Sequence, residues 1–271
     1  MRQLEYPCRC SRMAERRCVN QLISNTMKNY NDLISILKLF EDQWEIHHVH
    51  FPKGDWRMQF SEAIAMCFEP CAKKILAGHF RVTNNEGEKP VVRIIQPTAI
   101  ELYYHEEGEG RFKDPIMYHT NDRKVWTKEN YFKDRGIEGL PYFPVGSLNP
   151  HTSGIDITFE NAKERYRASF LIREYKVTYE GGKTVKVVNS TEIYDDMLLN
   201  GITLDKADWV EWCDGTESVE IERKWRRNVP NYRQIQGDPG RWEPDPDGMD
   251  TFSTPKGRVA KCPFNWQFRI K

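Results

Sequence analysis

The sequence predicts a single-domain α+β protein. Before Gly78, two stretches carry apolar residues at three- and four-residue steps, as amphipathic helices do. After Gly78, several stretches have the composition of strands and are separated by polar or glycine-containing turns. A composition of 39% hydrophobic and 30% charged residues is that of a globular chain, and 271 residues can bury a sizeable core.

The predicted helices come first along the chain. Residues 1–25 are rich in arginine and cysteine and show no clear period, so we expect an N-terminal arm there. Apolar residues then recur at helical spacing from Met27 to about His48, and again from about Phe60 to Ala77. Gly78 is well placed to end the second helix.

The predicted strands that follow read HFRVTN, VVRIIQPTAIELYYH, GIDITFE and ASFLIREYKVTYE. Pro97 interrupts the second of these and predicts an edge or a bulge. The segment EIYDDMLLNG is typical of a short helix that ends at Gly201, and VEIERKWRRNV of a strand entering a basic cluster. Residues 105–150 have few regular signals but many aromatics, which favours a functional connection.

These patterns divide the chain into an arm, a domain and a tail. The last part is rich in proline and glycine, so we expect a loop-rich tail packed on the core. The predicted boundaries are 1–25 for the arm, 26–235 for the domain (helices over 27–77, strand core over 79–235) and 236–271 for the tail.

Several common types of site have no motif in this chain. It has no P-loop, no GxGxxG, no GxSxG and no paired CxxC motifs. Cys8, Cys10 and Cys18 lack a fourth ligand nearby, so we interpret them as free thiols rather than metal ligands. The histidines of EIHHVHF would not all face one side of a strand, and we interpret them as a solvated helix end. We therefore predict no metal and no cofactor.

The charge balance directs any search for a nucleic-acid surface to local patches. Lys+Arg and Asp+Glu number 40 each, so the chain has no global positive field. The best candidate for binding a DNA backbone is the cluster of Arg223, Lys224, Arg226 and Arg227 with Trp225 interleaved. The alternative is a plain solvated basic strand, paired internally with the acidic run ADWVEWCDGTESVEIE.

The chain also lacks features of membrane and secreted proteins. Its start, MRQLEYPCRC, has no apolar run like that of a signal peptide, and the seven cysteines are an odd number in a long chain. No run approaches the roughly 20 apolar residues that cross a bilayer. We expect a monomer without a membrane span, located in the cytoplasm, or in the nucleus if the source is eukaryotic.

Four blocks carry a resemblance to a known family. KKILAGHFRV leads from a helix end with a glycine into a strand, and TAIELYYH supplies Glu101 and Tyr103. DPIMYH is an Asp-Pro-x-x-x-His segment that supplies His119, and SGIDITFE with SFLIREYKV is a glycine-centred strand pair that supplies Arg173. In this order, over about residues 70–180, the blocks resemble the alkyladenine (3-methyladenine, methylpurine) DNA glycosylase family.

The resemblance implies both a fold and a reaction. The fold would be a curved, mostly antiparallel β-sheet flanked by helices, of the methylpurine-DNA glycosylase type that is similar to the formyltransferase C-terminal domain. The reaction would be base excision DNA repair, in which a damaged nucleotide is flipped out of double-stranded DNA and water cleaves its N-glycosidic bond. Glu101 would activate that water and stabilise the oxocarbenium-like sugar. Tyr103, on the same strand face, would stack on the base, while His119 and Arg173 would line the pocket.

The chain departs from the family on the side that recognises the base. The places of the family's second stacking tyrosine and of its wedge tyrosine hold Pro150 and Ser153, with His151 beside them, and these three are the candidate DNA wedge. The asparagine that tests the exocyclic amino group falls on Glu160, which becomes the candidate pocket residue there. The resemblance therefore does not identify the base.

Other interpretations of the same residues stay open. A catalytically inactive protein on this fold would bind a modified base, a nucleic acid or a partner protein, which the missing aromatics favour. A hydrolase of a small nucleoside or glycosylated molecule would pair Glu101 with a second carboxylate, Asp156 or Glu160. Glu101 could also be a structural carboxylate at an exposed strand end, and Arg173 could form a salt bridge across the sheet, even to Glu101.

Overall fold

The computed structural model describes the protein in several stretches, which together form a β-sheet and the helix packed on it. The described residues are 56–84, 90–108, 114, 117, 142–143, 145–146, 148–151, 153–199, 209–226, 232–244 and 264–271. The elements in chain order are β1 (Trp56–Arg57), α1 (Met58–Ala77), β2 (His79–Asn84), β3 (Val91–Glu106), β4 (Leu148–His151), β5 (Gly154–Thr158), β6 (Tyr166–Tyr179), β7 (Thr184–Val187), a 3-10 turn (Ser190–Glu192), α2 (Ile193–Asp196), β8 (Val210–Cys213), β9 (Ile221–Lys224), β10 (Tyr232–Ile235), β11 (Asp238–Pro244) and β12 (Gln267–Ile270).

Within the described residues the main sheet has nine strands, and every pairing among them is antiparallel. Its central path runs β4-β5-β6-β3-β12-β9, with β2 beside β3, β8 beside β2, and β7 beside β6. Strands β1, β11 and β10 form a separate three-stranded antiparallel sheet. The described part of the protein is thus a curled, mostly antiparallel sheet with few helices, as expected of the α+β class.

Two long strands, β3 and β6, form the spine of the sheet and pair along almost their whole length. On its other edge β3 changes partner: β2 pairs with residues 91–95, and β12 with residues 99–101. The change occurs around Pro97, where the ladder between β3 and β6 is also irregular. Of the edge or bulge that Pro97 predicts, the structure has the bulge. The physical reason is that a proline has no N–H to donate to a neighbouring strand.

Helix α1 packs on one face of this sheet and makes that face apolar. Its side chain Phe68 has ring contacts with Tyr104 on β3 and Phe170 on β6, with centroid distances of 5.7 and 6.1 Å, and with Phe159 at 5.2 Å. All four are buried, and such aromatic contacts add to the gain from burying their area. Among the described residues, no helix is both long and apolar enough to cross a membrane.

Gly78 ends α1, as the sequence predicts. Its N–H donates to the carbonyl of Lys74 at 3.0 Å, which closes the last turn. A Cβ atom at this position would lie 2.2 Å from Cζ2 of Trp212 and 2.9 Å from the carbonyl oxygen of Cys213, both in β8. Glycine is therefore required here by the close approach of β8 to the end of the helix.

The C-terminal part of the chain differs from the expected loop-rich tail. Residues 238–244 form β11, and residues 267–270 form β12, which lies between β3 and β9 within the main sheet. The local sequence explains the second strand. Trp266 and Phe268 are buried apolar residues, and they alternate with Gln267 and Arg269, which is the period of a strand with two unlike faces.

Two further predicted elements are short in the described residues, and other predicted features lie outside them. The described residues of EIYDDMLLNG, 192–199, contain one helical turn, α2, after a short 3-10 turn, and those of VEIERKWRRNV contain the short strand β9. The expected arm over 1–25 and the expected helix from Met27 to about His48 lie outside the described residues. So do Cys8, Cys10 and Cys18 and the histidines of EIHHVHF.

Candidate active site

Strands β3 and β6 carry a pair of bulges close to Glu101. The ladder between them skips Thr98 on β3 and Arg173 on β6, so each strand has one extra residue there. An extra residue reverses which side chains face the core. Ile172 before the bulge in β6 and Val177 after it both lie in the apolar core, although their odd spacing would put them on opposite faces of a regular strand. The two bulges thus reverse which side chains of each strand face the core on either side of them.

Glu101 lies inside the sheet, on the face away from α1. Its opposite residues are Leu171 on β6 and Gln267 on β12, and directly opposite residues point to the same face. The next residue, Leu102, belongs to the apolar core on the other face. Glu101 is fully buried at 0% exposure, and β3 continues past it to Glu106. It is therefore not the carboxylate at an exposed strand end that the sequence left open.

Three side chains of the predicted site bind one another. The hydroxyl of Tyr103 donates to Oε2 of Glu101 at 3.0 Å, and Nε of Arg173 donates to the same oxygen at 2.5 Å. Nη2 of Arg173 also forms an ion pair with Glu101 and donates to the Tyr103 hydroxyl at 3.0 Å. The salt bridge across the sheet that the sequence allowed for Arg173 is thus present, and its partner is Glu101.

Burial and charge act in opposite directions on these groups. Burial raises the pKa of Tyr103 well above its ordinary value, although the positive charge of Arg173 acts to lower it. Burial lowers the pKa of Arg173, but its interactions with Tyr103 and Glu101 outweigh this effect and leave that pKa raised. Tyr103 therefore keeps its proton near neutral pH. Its hydroxyl donates a hydrogen bond to Glu101 and accepts one from Arg173. Its hydroxyl has a fixed direction.

A second buried ion pair lies beside the first. Asp114, the aspartate of the DPIMYH block, accepts from Nη1 of Arg226 at 2.5 Å and from Nη2 at 3.0 Å. Asp114 also accepts from the backbone N–H of Tyr104, and Arg226 donates to the carbonyl of Leu102. The guanidinium of Arg226 lies over the ring of Tyr103, 4.9 Å from its centroid. This pair therefore fixes one side of the Tyr103 ring.

The basic cluster does not form one exposed patch. Arg226 is buried at 1% exposure and is bound to Asp114, so it does not face solvent as a phosphate ligand would. Arg223 pairs with Glu62 of α1, and Lys224 pairs with Glu222 at 2.7 Å. Arg227 lies outside the described residues. Each of these three cations has a carboxylate within reach, but only Lys224 pairs with a residue of the acidic run ADWVEWCDGTESVEIE, namely Glu222.

The two candidate second carboxylates are in different surroundings. Glu160 is paired with Arg167 at 2.9 Å and accepts from the backbone N–H of Phe143 at 2.7 Å. Asp156 on β5 lies opposite Leu171, which itself lies opposite Glu101, so all three face the same way. Two strand spacings put the Cα atoms of Asp156 and Glu101 about 10 Å apart. Asp156 therefore shares the face of Glu101, whereas Glu160 is already engaged by Arg167 and by the N–H of Phe143.

The candidate wedge residues lie on the β4–β5 hairpin at one end of the sheet order. Pro150 and His151 pair through their backbones with Ile155 and Gly154. The carbonyl of Ser153 accepts from the hydroxyl of Ser190 at 2.6 Å, which ties the turn to the 3-10 segment. The three residues are thus brought together in one turn. The structure does not describe His119 or the loop aromatics Trp126, Tyr131 and Phe132.

Two parts of this site were not predicted from the sequence. Gln267 lies opposite Glu101, but it belongs to the segment expected to be a loop, and only the alternation of NWQFRI could have identified its strand. The partnership of Asp114 with Arg226 joins residues far apart in the chain. No local pattern predicts such a pair, because it depends on which strands become neighbours.

Comparisons with known proteins found no relative of this chain. No family model matches the sequence, no curated protein matches it, and no solved structure matches the fold.

Proposed function

We propose that the protein is a monofunctional DNA glycosylase of the alkyladenine type. It would hydrolyse the N-glycosidic bond of an alkylated or otherwise modified base flipped out of double-stranded DNA, as the first step of base excision repair, with no metal and no cofactor. The observation that carries this function is the convergence of Glu101, Tyr103 and Arg173 on one buried polar face of the sheet. The curled antiparallel sheet would then be of the methylpurine-DNA glycosylase type.

The chemistry suits a carboxylate in this position. When the base leaves, positive charge develops on the sugar, and a carboxylate near the anomeric carbon stabilises that charge. The same carboxylate accepts a proton from the attacking water, so Glu101 would provide both effects. Arg173 holds Oε2 of Glu101 through two contacts, and orienting the carboxylate in this way avoids reorganisation during the reaction.

Tyr103 would hold the flipped base from the same strand face. Its hydroxyl is fixed by Glu101 and Arg173, and the Arg226 guanidinium lies over its ring. Because these contacts already fix the ring, it loses little conformational freedom when a base stacks on its other face. Purines alkylated at N3 or N7 carry positive charge, so stacking on an electron-rich phenol ring favours them over undamaged bases.

The test is the release of free base from alkylated duplex DNA by the purified protein. We expect release by the wild type and none by Glu101→Gln, with DNA binding retained by the variant. Glu106→Gln is the matched control, because Glu106 is also buried on β3 but on the α1 side, where it accepts from Tyr104. The role of Glu101 is rejected if both variants release base at the wild-type rate.

A specific observation favours a second function, that of an inactive protein that binds a modified base or nucleic acid. Oε2 of Glu101 is already engaged by Arg173 and Tyr103, and its side chain has no exposed surface. A nucleotide and a water can reach Glu101 only if they displace atoms that cover this face. A protein that only binds would not require this carboxylate to meet water.

A gel-shift titration at low and high salt separates the two functions. Binding to alkylated duplex without release of base supports the binding protein, whereas binding with release supports the glycosylase. No measurable binding at low salt rejects both, since every phosphate contact is strongest there.

A further inference from the structure

Two buried polar atoms near Glu101 lack a hydrogen-bond partner within the part of the chain that the structure describes. They are Nε2 of Gln267 and Oγ of Ser169, and their residues are 3% and 0% exposed. A buried donor without a partner costs about 1–3 kcal/mol, so native proteins keep few of them. Groups of this kind next to a candidate active site point to a ligand that completes their hydrogen bonds.

These two residues lie on either side of Glu101 and Tyr103 in the sheet. Gln267 on β12 lies opposite Glu101, and Ser169 on β6 lies opposite Tyr103. Opposite residues of antiparallel strands point to the same face with their Cβ atoms about 5 Å apart. Both groups therefore share the polar face of Glu101, one from each strand that flanks β3. Gln267 is close enough to contact the same small ligand as Glu101.

Glu160, which stands where the alkyladenine glycosylase family has an asparagine, is not available to contact the base. Glu160 is held by the guanidinium of Arg167 and by the N–H of Phe143. Gln267 is a carboxamide whose Nε2 is a hydrogen-bond donor, and a purine ring nitrogen with a lone pair is an acceptor. Its strand lies in the interior of the sheet, between β3 and β9, which fixes its direction.

We propose that Gln267 is a specificity-determining residue, whose Nε2 donates to ring nitrogen N3 of a flipped purine while Glu101 faces the anomeric carbon. This role rests on the proposed glycosylase function and deepens it by naming the substrate class, a modified purine that keeps its N3 lone pair. N3 is the ring acceptor nearest to the glycosidic bond, and Gln267 is a direct neighbour of Glu101. A purine methylated at N3 has no acceptor there, whereas one methylated at N7 keeps it.

The test uses duplex DNA treated with dimethyl sulfate, which contains both 7-methylguanine and 3-methyladenine. Chromatography separates the two released bases, so each variant yields a rate for each base from the same substrate. We expect Gln267→Met to slow release of 7-methylguanine roughly tenfold, the effect of losing one hydrogen bond to a base edge, and to leave 3-methyladenine unchanged. Gln267→Glu, which replaces the donor by an acceptor, should slow 7-methylguanine release further.

Gln96→Met is the matched control, because Gln96 lies on β3 away from Glu101 and already donates to the carbonyl of Leu76. Its ratio of the two rates should equal that of the wild type. An unchanged ratio in both Gln267 variants would overturn the role of Gln267 while leaving the glycosylase function standing, as would release of 3-methyladenine alone by the wild type. Release of neither base by the wild type rejects the glycosylase function itself, and thermal melting of each variant identifies any that fails to fold.

Discussion

Arg173 forms an ion pair with Glu101 across β3 and β6, although the ladder between these strands gives Arg173 no opposite residue. Arg173 is two residues after Leu171, which lies opposite Glu101, so the period of the strand directs both side chains to one face. Bulges redirect side chains, and they occur often beside active sites. Because Arg173 is an extra residue, the faces of β6 reverse after it, and Tyr175 and Val177 lie in the apolar core together with Ile172.

Removing the Arg173 guanidinium should destabilise the protein strongly. Arg173→Met leaves Glu101 buried without its ion-pair partner, and breaking a buried pair in this way costs about 3–5 kcal/mol in the free energy of unfolding. Urea denaturation measures the change. Lys176→Met is the control on the same strand, because Lys176 is exposed and its loss should change stability by less than about 0.5 kcal/mol. Equal effects of the two substitutions would contradict a buried pair.

The pair between Asp114 and Arg226 should behave non-additively. Both side chains are fully buried, so Asp114→Asn or Arg226→Met alone should lower the free energy of unfolding by about 3–5 kcal/mol. The double variant Asp114→Asn with Arg226→Met leaves no unpaired charge and should recover part of that loss. A double-mutant cycle measured by denaturation gives the coupling energy, and strict additivity would show that the two residues do not interact.

Cys67 should resist alkylation in the folded protein. It lies in α1 at 2% exposure, and burial raises the pKa of its thiol to about 11. At pH 8 about one molecule in a thousand then carries the reactive thiolate. Mass spectrometry of peptides after iodoacetamide treatment should find Cys67 unmodified while the half-buried Cys213 reacts, and urea should abolish the difference. Rapid modification of Cys67 without urea would contradict its position in the core.

The free energy of unfolding should fall above about pH 10 because of Tyr175. This residue is fully buried, and burial raises its pKa, as does the hydrogen bond from its hydroxyl to Asp196 at 2.7 Å. Above the ordinary tyrosine pKa the unfolded chain loses this proton while the folded protein keeps it, which favours unfolding by about 1.4 kcal/mol per pH unit. Tyr175→Phe should reduce the slope by that amount. An identical slope in the variant would show that Tyr175 ionises normally in the folded state.

Local patterns predicted helix α1 and strands β2, β3, β5, β6 and β9, because each depends on nearby residues. The helix that ends at Gly78, the four strand segments after it and the bulge at Pro97 all have a local cause: an apolar period, a glycine or a missing N–H. Strand β12 was missed because four residues of alternating type give a weak signal beside a long segment rich in proline and glycine.

The candidate site was predictable only in part, since burial and pairing depend on which distant strands become neighbours. Glu101, Tyr103 and Arg173 were identified individually, but their mutual hydrogen bonds require the register of β3 with β6. Arg226 was predicted to bind phosphate because its sequence neighbours are basic. Its actual partner is Asp114, more than a hundred positions earlier in the chain.

The position of β12 has a consequence for how the protein is made. This strand pairs with β3, yet the ribosome synthesises the two more than 160 residues apart. At about 5–20 residues per second, roughly ten seconds or more pass between their appearances. During this interval the edge of β3 next to Glu101 has no strand to cover it, and the nascent sheet is open to chaperones and to wrong pairing. The polar face is thus among the last parts of the sheet to form, after the strands that carry most of it have been made.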